Sequence, residues 1–223
     1  MHPRPALALA CAGLAAAGAL TLSACSSRSG DSAGQPLAVV SAPTDPSAPP
    51  GAISLDTPLA KPDLVLTDQT GKPYDLRKRT AGRALLLYFG YTHCPDVCPT
   101  TMADLALALR RLPSGTARPD VVFVSTDPQR DTPGRLKSWL GLIDTRFTGL
   151  TGDFATIQHA AQRLGISVQA PQRQDDGSVT VSHGAEVLAF SPADDRAHVL
   201  FPSGTPEATY AADLPKVAAG RNR

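Results

Sequence analysis

Cys94 and Cys98 stand four apart in YFGYTHCPDVCPTT, residues 88–101, between an apolar run and the start of a helical pattern. Two thiols so placed can bind a soft metal ion or exchange with a disulfide. On a first helical turn, positions four apart share a face, so both sulfurs can point the same way. Free N–H groups and the helix dipole there favour a thiolate. Pro95 and Pro99 stiffen the loop. A thioredoxin-type redox pair has two residues between its cysteines; here there are three. A peroxidase needs a hydroxyl and an arginine beside its thiolate; Thr92 is present, but no arginine is near in sequence. Two thiolates suit linear Cu(I), and an added imidazole makes a three-coordinate site that also holds Cu(II). Zinc calls for a fourth ligand. A disulfide serving only as a staple closes too small a ring to remove much unfolded-state entropy. The spacing leaves metal binding and redox exchange open, with Cys94 the more exposed nucleophile in the second case.

Four histidines are candidate partners. His93 adjoins Cys94 and points away from it in extended chain. His159 falls mid-helix, and His198 begins a strand. His183 lies in VTVSHGA, residues 179–185, immediately before an apolar strand. In thioredoxin-like folds that loop faces the dithiol, which makes His183 the candidate ligand. Asp96 lies inside the dithiol loop, where it adjusts local charge or keeps the loop solvated. Asp127 closes the second apolar run, either as an acceptor behind the ligands, as a docking residue, or as a cap on an Asp-Pro turn.

The elements that must position these residues follow from periodicity. Residues 64–67 and 72–76 flank the turn signal DQTG and read as a hairpin. The run ALLLYFGY, 84–91, reads as a strand buried on both faces. Met102, Leu105, Leu109 and Leu112 mark a helix over 99–112. A second buried strand covers 121–125, and Asp131-Thr132-Pro133 opens a helix through Leu142. A short strand covers 147–150. Asp153 caps a helix ending at Gly165, and 166–169 is extended. Residues 171–178 are polar and read as mobile. Strands 187–190 and 198–201 form a second hairpin, and a last helix over 206–218 is interrupted by Pro215. This is an α/β pattern with a dithiol at the end of its first long strand, hence a thioredoxin-like fold with an added β-hairpin. The domain is assigned to 59–219, with 220–223 a flexible C-terminus.

Residues 6–22 carry no charge and precede Leu22-Ser23-Ala24-Cys25. A positive start, a short apolar core and small residues describe an export signal. The tetrad resembles a bacterial lipobox, which implies cleavage before Cys25, lipid on its sulfur, and a chain anchored on the outer, extracytoplasmic face of the cell membrane. Cys11 leaves with the signal, so Cys94 and Cys98 remain as the free pair and can form a disulfide there. Residues 26–58 are rich in Pro, Ser and Gly and read as a disordered tether. The net charge of +1, with both signs mixed, gives no case for nucleic acid.

The chain resembles the SCO/SenC family of copper-binding assembly factors. The match is carried by YFGYTHCPDVCP, 88–99, by VSTDPQRDTP, 124–133, and by His183 downstream. The resemblance implies one copper held by Cys94, Cys98 and His183, and a role in maturing the binuclear copper centre of cytochrome c oxidase. Its partners would be the copper-receiving oxidase subunit, a copper donor and a thiol reductant. The alternative is a thiol–disulfide oxidoreductase that keeps the oxidase's copper-site cysteines reduced. Many relatives carry an Asp before the histidine, where this chain has Ser182; a carboxylate there orients the imidazole or tunes copper retention.

Overall fold

The run at 84–91 forms the centre of the sheet in the computed structural model, which describes residues 50–175 and 179–221. The signal, Cys25 and most of the proposed tether lie outside the described residues. In chain order the elements are β1 (Ile53–Ala60), β2 (Val65–Asp68), β3 (Pro73–Asp75), α1 (Leu76–Arg79), β4 (Leu85–Gly90), α2 (Val97–Arg110), β5 (Asp120–Ser125), α3 (Pro133–Gly141), β6 (Thr148–Thr151), α4 (Phe154–Gln162), β7 (Gln172–Arg173), β8 (Val179–Thr180), β9 (Val187–Phe190), β10 (Arg196–Phe201) and α5 (Glu207–Ala218). Eight strands make one sheet in the order β1-β10-β9-β4-β5-β6-β2-β3. Strands β4, β5 and β6 are parallel, and the remaining neighbours are antiparallel.

All six residues of β4 are buried because both sheet faces are covered. Leu86 and Tyr88 pack into the layer that holds Met102, Leu105 and Leu109 of α2 and Leu214 of α5. Leu85, Leu87 and Phe89 pack into the opposite layer with Ile157 and Ala161 of α4. Both dithiol residues therefore emerge at the C-terminal end of the central parallel strands, the edge where open α/β sheets place their ligands. The architecture is the expected thioredoxin-like one, with β9–β10 as the antiparallel hairpin on its flank.

Four expectations need correction. Residues 53–58, assigned to the tether, belong to β1, which pairs antiparallel with β10. The strand escapes notice because it is an edge strand whose register shifts between Ser54 and Leu59, and which buries only Leu55. Its end is fixed by Lys61, whose buried Nζ donates to Thr80 O at 2.8 Å and to Asp195 Oδ1 at 2.6 Å. The polar stretch 171–178 contains one strand of a two-stranded ladder, Gln172–Arg173 against Val179–Thr180. Pro215 lies inside α5 without ending it, because Leu214 and Val217 are anchored in the core on either side. Finally, the assigned flexible C-terminus is held as far as Arg221: Gly220 N donates to Val217 O at 3.0 Å and Arg221 N to Lys216 O at 2.9 Å.

Candidate metal centre

Cys98 occupies the second position of α2 and is completely buried. Groups from β4 and from the histidine loop face its sulfur. The Tyr88 hydroxyl, from β4, donates to Sγ at 3.5 Å. His183 Nε2 lies 3.6 Å from the same sulfur. Burial pushes the Cys98 thiol up to about 12, against the smaller opposing effect of the Tyr88 hydrogen bond. Burial likewise raises the Tyr88 phenol well above its ordinary value, so it stays a donor.

The histidine ring is held in one orientation. His183 Nδ1 is 2.9 Å from Gly184 O. A carbonyl only accepts, so Nδ1 carries the proton and Nε2 presents its lone pair to Cys98. Burial lowers the affinity of the ring for a second proton, with the Gly184 hydrogen bond and the charge of Glu186 opposing. The ring stands edge-on to Tyr91 and Tyr88, at centroid separations of 5.6 and 6.2 Å. The loop itself is fixed by the bridge between Val168 and His183, made by Gly184 N donating to Ser167 O at 2.8 Å and Gln169 N to Ser182 O at 2.9 Å.

Cys94 is half-buried, and its Sγ accepts from Cys98 N at 3.3 Å, one of the free N–H groups of the α2 N-terminus. Cys94 and His183 both line an open cleft of about 440 Å³, with Tyr91, Pro95, Val97 and Val181 among its walls. Among the described residues no three His, Cys, Asp or Glu side chains converge tightly enough to enclose an ion. Cys98 and His183 form a pair with the right spacing, and Cys94 stands beside them with its sulfur turned to the helix backbone. With metal–sulfur and metal–nitrogen bonds of about 2.3 and 2.0 Å, the 3.6 Å separation would subtend roughly 114° at a shared ion, between the tetrahedral and trigonal values.

The strand-to-helix loop is clamped by Asp131, which in sequence looks only like part of a helix opening. Asp131 is fully buried and accepts from Thr92 N at 3.0 Å, Thr92 Oγ1 at 2.6 Å and Ser125 Oγ at 2.7 Å. Arg135 Nε donates to the same Thr92 hydroxyl at 2.9 Å. The motif at 124–133 thus reaches across the sheet edge to hold the loop two residues before Cys94. Asp127 is buried and its carboxylate pairs with Arg130; among the described residues no hydrogen bond joins it to Cys94, Cys98 or His183. Asp96 is exposed on the cleft rim, where Thr100 Oγ1 donates to it at 3.4 Å. His93 is exposed beside Thr92 and Asp131, as its position implied. His159 is exposed on α4, and His198 pairs with Asp194.

Residues 54–219 match the SCO1/SenC family. The chain belongs to the SCO1/SenC family. Bradyrhizobium japonicum ScoI, solved with copper bound, is 33% identical, with a TM-score of 0.62 over 71% of this chain and 99% of its own. Yeast Sco1 with copper bound is 26% identical, with a TM-score of 0.62 over 71% of this chain and 87% of its own. The human mitochondrial SCO1 homolog is 31% identical over 137 residues, 60% of this chain and 45% of that protein. The chain spans about half the length of the mitochondrial SCO relatives it matches, 51% of the mouse SCO2 homolog and 45% of human SCO1.

The unequal burial of the two thiols in this SCO1/SenC chain has a direct test. With the dithiol reduced, iodoacetamide at pH 8 will label Cys94 and leave Cys98 unlabelled until the protein is denatured, as read by peptide mass. Equal labelling of both in the folded chain would contradict the buried position of Cys98.

Proposed function

We propose that the protein is a membrane-tethered copper chaperone that holds one copper ion through Cys94, Cys98 and His183 and helps assemble the copper centre of cytochrome c oxidase. One observation carries the reading: Nε2 of His183, its lone pair freed by the Nδ1 bond to Gly184, faces the Cys98 sulfur at 3.6 Å. Cys94 joins them by turning its sulfur from the Cys98 N–H toward the ion. Family membership and the copper-bound relatives support the choice of metal. Binding displaces the Cys98 proton and requires the reduced dithiol, so a thiol reductant and a copper donor are implied. Transfer proceeds by ligand exchange, with thiolates of the receiving oxidase subunit entering through the open cleft and replacing Cys94 first. No substrate bond need change. Lipid on Cys25 would hold the chain at the outer face of the cell membrane, with residues between Cys25 and β1 giving it reach.

A second reading uses the same pair as a thiol–disulfide reductant for the oxidase's cysteines. It is favoured by the asymmetry of a half-buried Cys94 over a buried Cys98, the pattern of an attacking and a resolving thiol. His183→Ala separates the two. We expect its Cu(I) affinity to fall roughly a hundredfold, about 2.8 kcal/mol, with oxidase assembly lost in cells. Full oxidase assembly by a variant that no longer binds copper would overturn the chaperone reading.

A further inference from the structure

Glu186 lies between the histidine loop and β9, and its Oε2 is buried with no hydrogen-bond partner among the described residues. A carboxylate oxygen so placed is costly, and such atoms call for an explanation. The space for it exists because residue 184 lacks a side chain: a Cβ on Gly184 would collide with Glu186 Oε2 and stand 3.1 Å from Ile166 Cγ2. Gly184 is also the residue whose carbonyl takes the His183 Nδ1 proton. The carboxylate is thus packed against the backbone to which one ring nitrogen is tied, while the other ring nitrogen faces Cys98.

We propose that Glu186 is a positioning carboxylate for the copper site, a negative charge set behind His183 that biases the site toward Cu(II) over Cu(I). The proposal rests on the assignment of His183 as a ligand. Two thiolates and a neutral imidazole leave a Cu(I) site with one net negative charge and a Cu(II) site neutral. A carboxylate behind the ring stabilises the positive charge that the imidazole takes on as it donates to the ion, more for Cu(II) than for Cu(I). It does not reach the ion; it acts through the ring.

The test measures Cu(I) and Cu(II) affinities of the full-length reduced protein by chelator competition, for wild type, Glu186→Gln, His183→Ala and the double variant. We expect Glu186→Gln to lower the ratio of Cu(II) to Cu(I) affinity about tenfold, to shift the Cu(II) hyperfine coupling, and to leave the urea midpoint equal or higher, since the carboxylate oxygen it replaces has no hydrogen bond to lose. In the His183→Ala background the substitution should no longer change the ratio. An unchanged ratio in Glu186→Gln, or an equal drop with and without His183, would overturn the proposal. A lowered urea midpoint with an unchanged ratio would make Glu186 structural. If His183→Ala binds both ions as tightly as wild type, the ligand assignment itself fails, a result separate from any effect of Glu186.

Discussion

Asp131→Ala will lower stability by about 3–5 kcal/mol and weaken copper binding together, although residue 131 touches neither thiol. Removing the carboxylate strips partners from Thr92 N, Thr92 Oγ1 and Ser125 Oγ, all buried. Each abandoned donor costs about 1–3 kcal/mol. The two hydroxyls can turn to other acceptors, which brings the sum below the simple total. Domains of this size are stable by roughly 5–15 kcal/mol, so the change takes a large share. The same loss frees the loop ahead of Cys94, and copper affinity should fall about 10–100-fold, as for partners that orient metal ligands. Urea denaturation and a Cu(I) competition titration read the two effects. A wild-type urea midpoint would show that Asp131 does not clamp the loop.

Gly90→Ala should be nearly as damaging, by the opposite route. A Cβ at residue 90 would lie 2.6 Å from Tyr88 Cε1, 3.0 Å from Cys98 Sγ and 3.1 Å from Phe123 Cε2. All three belong to fully buried side chains, so none yields without repacking. Overpacking of this kind costs about 1–3 kcal/mol. Here the displaced atom is one of the proposed ligands, so the Cys98–His183 spacing must open as well. Gly149→Ala is the control. Its Cβ would meet Leu140 Cδ1 at 2.8 Å and Leu136 Cβ at 3.1 Å, a comparable clash in a part of the core that holds no proposed ligand. Both variants should melt early in urea, but only Gly90→Ala should lose copper affinity. Equal copper binding by the two would detach Gly90 from the site.

The central strands were legible because each is built on an apolar run, and the ends of β4 and β5 fall within one residue of those runs. The Asp153 cap was legible too, since its side chain accepts from Thr156 N at 2.8 Å, a bond formed entirely within the local sequence. Asp131 was not. Its donors lie 39 and 6 residues away, and the local cap is its neighbour Thr132, whose hydroxyl accepts from Arg135 N at 3.2 Å. The residue therefore wears the appearance of a helix start while working as a long-range clamp. Asp127 does close the second apolar run, but its pairing with Arg130 has no signature in sequence. His183 stands out in sequence by its place before an apolar strand with a glycine after it, and the fold brings its Nε2 to 3.6 Å from Cys98 Sγ. The function of that glycine, a carbonyl for Nδ1 and room for Glu186, lies in three dimensions alone. Glu186 itself reads in sequence as an ordinary charge at the mouth of a strand. Strand β1 was missed because an edge strand with one buried residue and a proline leaves almost no alternation to detect.

Among the described residues, the segment bearing His183 is fastened by few backbone bonds: a two-residue ladder and the single bridge at Val168, which is made by Gln169 N donating to Ser182 O at 2.9 Å and Gly184 N to Ser167 O at 2.8 Å. Cys98 and His183 are 85 residues apart along the chain. An ion shared by them would close that long ring much as a disulfide does, removing loop-closure entropy from every opened form of the segment. Cargo and local stability would then be one quantity, rising on loading and falling on release. Amide exchange at residues 179–185 would report whether the carrier is full, and a receiving protein that favours the opened segment would draw the ion out by the same linkage.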